Sequence, residues 1–281
     1  MTPKDILLHL RLPFSFFLMP VYWFAISQTP NLDKPKAVWI FVILHLLIYP
    51  ASNAYNSYFD KDEGSIGGLE KPPAVDKKLF WVSWAIDILA VILGFFFVSP
   101  LFALMIFVYG LVSKAYSNDT IRLKKYPILS WFIVGIFQGG FTYFMVLLAF
   151  ISEGELLKTH IFPAIISTLM LWAVYPMSQI YQHEEDAKRG DTTMSILLGV
   201  RGTFVFTATI FSLAFFAFFL YFQQSDFIAL LVFNLPTFLF FGWWFLKVLK
   251  DKNQANFKYT MWLNLLASVC LNGFYIWLCV K

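Results

Sequence analysis

Charged side chains are scarce in this sequence. Asp, Glu, Lys and Arg make up 14% of its 281 residues, whereas soluble domains usually carry about a quarter. Hydrophobic residues make up 59%, and the mean hydropathy is +0.67. This composition excludes an ordinary soluble domain and indicates an integral membrane protein, for which we expect membrane lipid as a partner and no nucleic acid.

Cysteine is also scarce, with only Cys270 and Cys279, both in the last apolar run. Two thiols so placed make neither a disulfide framework nor a metal site, and we expect them to act as small apolar fillers. Aromatic residues, in contrast, are abundant at 20%, with 34 Phe. This abundance suits lipid-facing helices and an apolar cavity better than a polar pore.

Apolar runs long enough to cross a bilayer as a helix, about 17–25 residues each, occur nine times. They span approximately residues 12–28, 37–56, 79–98, 100–117, 128–151, 160–181, 203–222, 227–248 and 259–279. We therefore expect an all-α integral membrane protein, a single domain over residues 1–281. Its nine transmembrane helices would surround a central apolar cavity that opens near the cytoplasmic face. The first run contains Pro13 and Pro20 and is long, which favours a retained helix over a cleaved signal peptide.

Lys and Arg are distributed unevenly between the two sides that nine spans define. Of the 21 such residues, all except Lys34, Lys36, Lys158 and Lys281 fall on the side of the N-terminus. The positive-inside rule then places the N-terminus in the cytoplasm and the C-terminus outside, in a membrane of the bacterial inner-membrane type.

Two acidic clusters follow the second and sixth apolar runs, in segments 56–63 and 182–191. Residues four apart share a helix face, so Asn56 lies above Asp60 and Gln182 above Asp186. Carboxylates are costly at the membrane and mark functional sites there. Because Mg²⁺ usually takes one or two carboxylates and completes its shell with phosphate oxygens and water, the clusters predict a site for Mg²⁺ and a diphosphate. The alternative is that they are ordinary interfacial charges where helices leave the bilayer.

One further connection on the same side is polar. The connection after the fourth run begins at Lys114 and contains Tyr116, Ser117, Arg122, Lys124 and Lys125. The connection after the second run contains a glycine-rich segment, 64–68, which breaks helical structure. This segment is either a lid hinged at its last two glycines or a plain flexible linker.

Three motifs in order resemble the UbiA superfamily of intramembrane prenyltransferases over nearly the whole chain. They are Asn56-x₃-Asp60, the block from Tyr116-Ser117 to Arg122-Leu-Lys124, and Gln182-x₃-Asp186 continued by segment 192–199. The sequence departs from the family pattern at two positions. Gly64 replaces the last Asp of the first motif and Gln182 the first Asp of the second. Neighbouring acids, Asp62 and Glu63 or Glu184 and Glu185, are the candidates to compensate.

The resemblance implies transfer of a prenyl group from an isoprenyl diphosphate donor to a lipophilic acceptor in the membrane, with Mg²⁺ as cofactor. It implies catalytic roles for Asp60 and Asp186. The implied metal-holding residues are Asp60, Asp62, Glu63, Gln182, Glu185 and Asp186. The implied diphosphate-binding residues are Asn56, Arg122, Lys124, Tyr116, Ser117, Lys188 and Lys71. For Lys125 we favour a role in topology alone, and family precedent favours an aromatic or quinone-precursor acceptor.

A transporter of a small or lipid-like solute is the main alternative, but the polar residues gather on one side only and offer no second site for release. The dense Asp/Gly/Ala/Arg motif of transferases that use cytidine-diphosphate-linked substrates is missing. A purely structural role does not explain why acidic and basic residues are concentrated in the same three loops.

Isolated polar residues inside spans are more simply read as helix–helix contacts. We expect Asp87 to bond to a Ser, Thr or Asn of a neighbouring helix or to be protonated. His45 and Asn272 are expected to bond to helix neighbours, and His183 to lie at the surface or behind the metal-holding residues.

Overall fold

Nine apolar helices form the molecule. The computed structural model describes the backbone of residues 1–281 and every side chain except those of residues 153, 156 and 157. Within this described part, nine helices are long and apolar enough to cross a membrane. They are α1 (Pro3–Ser27), α2 (Lys34–Asp60), α3 (Lys77–Phe97), α4 (Pro100–Ser117), α5 (Pro127–Leu147), α6 (Ile161–Gln179), α7 (Met194–Tyr221), α8 (Gln224–Lys250) and α9 (Phe257–Val280). The prediction of an all-α protein with nine spans is confirmed.

Two helices begin earlier than the hydrophobic pattern predicted. The first begins at Pro3, where Thr2 and Asp5 form a capping box, and passes through a 3₁₀ segment at Leu12–Leu18. The seventh begins at Met194 and is kinked at Gly199, whose φ of 67° is readily adopted only by glycine. Polar residues in the first turns conceal the start of α1 from a reading based on hydropathy, and Gly199, Arg201 and Gly202 conceal the start of α7.

Two helices each contain a π-helical segment, and both segments adjoin the centre of the bundle. In α2 the segment Ile43–Ile48 is followed by Pro50, which has no N–H to continue the α-helical ladder. In α5 the segment is Ile136–Phe141, where the Gly140 N–H donates to the Thr168 hydroxyl of α6 at 3.1 Å. Such segments shift the helix face that follows them and often occur at functional sites.

The connections after α2, α4 and α6 lie at the same end of the bundle as the N-terminus, and we refer to this end as the polar end. The N-terminal amino group pairs there with Asp76 at 3.1 Å. At the opposite end Lys281 pairs with Asp226. The short helices His183–Lys188, at the polar end, and Glu153–Thr159, at the opposite end, complete the fold.

Asp87 does not have the partner that the sequence predicted. It forms an ion pair with Lys114 of α4, and the Lys114 ammonium also lies 4.7 Å from the ring centroid of Tyr55 and 4.8 Å from that of Trp84. Hydropathy assigned Lys114 to the polar loop because it lies near the end of its run. The end of α4 is instead packed between α2 and α3, which buries the lysine beside the acid.

The predictions for the other isolated polar residues had different outcomes. His45 of α2 lies 3.2 Å from the Ser15 carbonyl of α1, as expected for a contact between helices. His183 lies 2.7 Å from the Ser195 hydroxyl. Asn272 is buried, and its side chain has no hydrogen-bond partner in the described part of the chain, so the expected bond to a helix neighbour is not formed.

Candidate active site

A cavity of about 290 Å³ runs through the bundle from the polar end. Residues of α1, α2, α4, α5, α6 and α9 line it, together with the connections after α2, α4 and α6. Its wall is polar at Asp60 and Lys124 and becomes apolar towards Phe24 and Leu271. The cavity therefore joins a charged mouth to an apolar interior.

The last turns of α2 and α4 bring the first motif together. The Asn56 side-chain amide donates to Asp60 at 2.6 Å and to the Ser117 hydroxyl at 3.0 Å. Asp60 is only 3% exposed. Asn56 thus links the two helices and holds the Asp60 carboxylate at the cavity wall, as the four-residue spacing predicted for this pair.

Several cations surround the Asp60 carboxylate. Lys124 lies 2.8 Å away, Arg189 3.3 Å and Arg122 3.6 Å. Burial by itself lowers the pKa of Lys124, but the charge of Asp60, followed by Asp191 and Asp186, outweighs burial and holds this pKa above its ordinary value. Lys124 is therefore charged at neutral pH and lies at the cavity surface.

Asp191 is a member of this network that sequence reasoning missed. Its two carboxylate oxygens accept hydrogen bonds from Arg122 at 2.8 and 2.7 Å, and Lys124 lies 3.3 Å away. Burial alone would raise the pKa of Asp191, but the hydrogen bonds and charges of Arg122 and Lys124 together outweigh burial and lower this pKa. Asp191 is the last residue of the second acidic cluster, so its position was a signal, but its partners come from another loop. Arg122 lies outside the cavity wall and acts through this carboxylate.

Asp62 and Asp186 also face the cavity, but neither lies as close to a cation as Asp60 and Asp191 do. Burial raises the pKa of Asp62, and the charge of Asp60 raises it further. Burial raises the pKa of Asp186 to about 7, although Lys124 opposes this. Gln182 also lines the cavity. Its amide nitrogen donates to the Ser65 carbonyl at 3.2 Å, and its amide oxygen accepts no hydrogen bond from the described residues.

These oxygen donors fit a divalent cation. In the described part of the chain no three His, Cys, Asp or Glu side chains form a ready-made metal cluster. Mg²⁺ does not need one, since it commonly binds through one or two carboxylates and takes its other ligands from phosphate and water. Buried carboxylates with raised pKa values, such as Asp62 and Asp186, gain most from a nearby positive charge.

The Tyr116 hydroxyl also reaches the cavity and lies 2.8 Å from the Tyr175 hydroxyl of α6. Ser117 is its neighbour on α4 and lines the same wall. The polar mouth of the cavity thus carries acids, a lysine, hydroxyls and an amide within one layer.

The sequence model of the UbiA prenyltransferase family matches residues 17–266. The chain belongs to this family. No curated protein matches the chain significantly in sequence. Among solved structures it is similar to a UbiA homologue from Archaeoglobus fulgidus bound to DMAPP and Mg²⁺, with a TM-score of 0.72 and 14% identity over 98% of this chain and 99% of that one. An apo UbiA homologue from Aeropyrum pernix K1 has a TM-score of 0.69 and 15% sequence identity over 94% of this chain and 98% of that one. A digeranylgeranylglyceryl phosphate synthase has a TM-score of 0.62 and 18% sequence identity over 99% of both chains.

Five residues implied by the resemblance lie outside the cavity wall of this UbiA family member: Arg122, described above, and Lys71, Lys188, Glu63 and Glu185. Lys71 and Glu63 are exposed. Lys188 is 69% exposed and lies 3.4 Å from Glu185. Gly64 packs against Glu185, whose Cγ would lie 3.2 Å from a Cβ at this position. Lys125 is exposed as well.

Two arginines at the mouth were not among the predicted site residues. Arg11, at 8% exposure, donates to the Asn53 carbonyl at 3.0 Å and to the Asn56 side chain at 3.3 Å. Arg189 contacts Asp60 and lies 3.7 Å from Asp62. Arg11 was detectable as a lone charge at the edge of an apolar run, but its direction depends on the packing of α1 against α2.

The glycine-rich segment lies over the cavity mouth. Ile66 and Gly67 line the cavity, and the Gly67 carbonyl accepts a bond from Arg11 at 3.4 Å. The ring of Phe14 packs so closely on Gly67 that a Cβ there would lie 2.6 Å from it. The segment is thus packed in place as a cover, which the reading as a plain flexible linker did not predict.

Proposed function

We propose that this UbiA family member catalyses Mg²⁺-dependent transfer of a prenyl chain from an isoprenyl diphosphate to a lipophilic acceptor, an aromatic or quinone-precursor ring. The observation that carries the proposal is the cavity itself. Carboxylates and cations meet at its mouth, and an apolar interior follows directly behind them. An isoprenyl diphosphate has the same division, with a trianionic head and a hydrocarbon tail.

At the mouth, Asp60, Asp62, Asp186 and the Gln182 amide oxygen would hold Mg²⁺, which supplies Lewis-acid stabilisation of the departing diphosphate. Lys124, already charged by its neighbours, would donate to the diphosphate oxygens, and the Tyr116 and Ser117 hydroxyls would add hydrogen bonds. Asn56 orients Asp60 through the 2.6 Å bond. Asp191, which is itself bonded to Arg122, would help to hold Lys124 in place.

In this reaction the diphosphate departs with the electron pair of the C–O bond, and the resulting allylic cation accepts an electron pair from the acceptor, which then releases a proton. The apolar interior would bind the tail and exclude water, which would otherwise capture the cation. Aromatic faces of the wall, such as those of Phe137 and Tyr275, can stabilise a cation electrostatically.

We further propose that the polar end faces the cytoplasm, so that the N-terminus is cytoplasmic and the C-terminus outside, in a membrane of the bacterial inner-membrane type. All but four of the 21 Lys and Arg residues fall on this side, which supports this orientation. The whole chain, residues 1–281, would act as a single domain, since α1 and α9 both contribute to the cavity wall.

The test is binding of a radiolabelled isoprenyl diphosphate to purified protein in detergent, with and without Mg²⁺. Asp60→Asn and Asp186→Asn keep side-chain size and remove charge. Asp251→Asn is the matched control, because Asp251 is exposed in the connection after α8 at the polar end and caps a local turn without an ion pair. Binding that requires Mg²⁺, is lost in both site variants and persists in the control is the expected result. Binding indifferent to Mg²⁺ and to both site substitutions would instead favour a transporter.

A further inference from the structure

Among the described residues, two buried hydroxyls of the cavity wall have no hydrogen-bond partner: that of Thr193, which precedes α7 at the polar end, and that of Tyr49, deeper in the bundle. Tyr49 of α2 is 2% exposed and lines the cavity, yet its hydroxyl makes no hydrogen bond within the described residues. The nearby Thr142 hydroxyl donates to the Phe137 carbonyl at 2.7 Å and keeps lone pairs able to accept, but it is not within hydrogen-bonding geometry of the Tyr49 hydroxyl. Buried polar groups are nearly always paired, so a hydroxyl left open at a cavity wall has a bond to offer to a ligand.

Two more uncharged polar side chains lie in the same wall. The ring of Tyr109, from α4, lies 5.8 Å from the ring of Tyr49, and Gln138 projects from the π-helical segment of α5. We call Tyr49, Tyr109 and Gln138 the neutral patch. Tyr49 follows directly on the π-helical segment of α2, so both irregular segments help to present this patch. It lies beyond the charged mouth, since Tyr49 precedes Asp60 by three turns, roughly 16 Å along α2.

The cations of the cavity lie elsewhere. Among the described lining residues, Arg11 and Lys124 are the cationic ones, and both stand at the mouth. Lys124 is held by Asp60 at 2.8 Å, and Arg11 by the Asn53 carbonyl at 3.0 Å. A carboxylate bound at the neutral patch would have no positive partner, which is costly in a low-dielectric interior. A prenyl tail has no polar atom and would leave the Tyr49 hydroxyl unpaired.

We propose that the neutral patch recognises the acceptor, and that the acceptor presents an uncharged hydroxyl or carbonyl oxygen to it. This inference rests on the proposed prenyl transfer and specifies its substrate class. The acceptor is a neutral phenol, hydroquinone or related ring compound, and aromatic carboxylates are disfavoured.

The test measures binding of two matched pairs of probes to the full chain loaded with Mg²⁺ and geranyl thiolodiphosphate, a donor analogue that reacts slowly. The pairs are 1-naphthol with 1-hydroxy-2-naphthoate, and methyl 4-hydroxybenzoate with 4-hydroxybenzoate. Tyr49→Phe removes only the hydroxyl. Tyr22→Phe is the control, because the Tyr22 hydroxyl is also buried in the bundle, bonded to the Ala37 carbonyl at 3.0 Å, and lies away from the cavity wall.

We expect the neutral member of at least one pair to bind about tenfold more tightly than its acid, and Tyr49→Phe to weaken that binding about tenfold, as the loss of one hydrogen bond does. Tyr22→Phe should leave it unchanged. Tighter binding of the acids, or no difference between Tyr49→Phe and the unsubstituted protein for any probe, would overturn the proposal.

The donor analogue separates this inference from the proposed function. Tyr49→Phe should bind the analogue with unchanged affinity and unchanged need for Mg²⁺. If donor binding is Mg²⁺-dependent while the neutral probes behave as in the unsubstituted protein, the acceptor assignment fails and prenyl transfer stands. If the unsubstituted protein does not bind the donor analogue with Mg²⁺, prenyl transfer itself fails.

Discussion

Asp186 changes charge close to neutral pH, because burial raises its pKa to about 7 and the nearby carboxylates of Asp60, Asp191 and Asp62 reinforce burial while Lys124 opposes it. A carboxyl must be deprotonated to hold a cation. Divalent-cation affinity in the presence of donor should therefore fall as the pH drops below about 7, by up to tenfold per pH unit. Mn²⁺ binding followed by electron paramagnetic resonance between pH 5.5 and 8 measures this.

The raised pKa of Asp186 also makes the stability of the folded protein depend on pH. The folded state binds this proton more tightly than the unfolded state, whose pKa is near 3.8, so the Asp186 contribution favours folding at low pH and is lost as pH rises towards 7. Asp186→Asn should reduce the pH dependence of both stability and Mn²⁺ affinity, and Asp62, whose pKa is also raised, should account for the remainder. Asp251→Asn should leave both pH dependences unchanged. A Mn²⁺ affinity that is flat from pH 5.5 to 8 in the unsubstituted protein would contradict the assignment of Asp186 to the cation site.

Single residues also show where sequence reasoning stops. The pairing of Asn56 with Asp60 followed from helical spacing, because both residues lie on one helix. The Asp191–Arg122 bond joins two loops, and nothing in the local sequence of either loop specifies the other. Tyr49 is one of 13 tyrosines, and only the packed bundle shows that its hydroxyl is buried in the cavity wall with no hydrogen-bond partner among the described residues.

The contact between α3 and α4 depends on the buried pair Asp87 and Lys114, at 7% and 4% exposure. Removing one partner leaves the other charge buried alone, which costs about 3–5 kcal/mol, whereas apolar replacement of both is often nearly neutral. We expect Asp87→Leu and Lys114→Met each to lower the thermal unfolding midpoint in detergent substantially, and the double variant to recover most of the loss. Additive losses in the double variant would show that the two side chains stabilise the bundle independently.

The contact between α5 and α6 depends on Gly139. A Cβ at this position would lie 2.7 Å from the Ser167 carbonyl oxygen and 2.7 Å from the Thr168 Cα, both backbone atoms that cannot simply rotate away. Gly139→Ala should therefore push the helices apart, destabilise the protein by about 1–3 kcal/mol or more, and displace the adjacent Gln138.

The matched control is Gly242→Ala in α8, where a Cβ would meet no atom within 4 Å. Unfolding midpoints in detergent should separate the two variants clearly, with Gly242→Ala close to the unsubstituted protein. Equal stability of both variants would mean that α5 and α6 can repack around the extra methyl group. The sequence predicted the number of helices, but hydropathy carries no information on which glycine faces the backbone of a neighbouring helix.

Across the whole molecule, successive helices cross the bundle in opposite directions, so every second connection lies at the same end. The polar connections that form the site all lie at this end. This is why the side of the site could be predicted from the sequence: an apolar run reverses the chain each time, so the connections after α2, α4 and α6 must meet. The interior of the cavity could not be predicted in the same way. Its wall combines side chains from six helices, and the rotation of each helix is set by packing and by the π-helical segments.

The orientation of the molecule in the membrane follows from the same alternation and from the charge asymmetry. If the polar end is cytoplasmic, Lys71 is inside and Ser225, in the first turn of α8, is outside; both side chains are exposed. Single cysteines at these positions, in a Cys270→Ala, Cys279→Ala background, report the sidedness. In intact bacterial cells a membrane-impermeant maleimide should label Ser225→Cys but not Lys71→Cys, and permeabilisation should expose both. Labelling of Lys71→Cys in intact cells would reverse the orientation and place the donor site on the outer face, where the positive-inside rule would not hold for this chain.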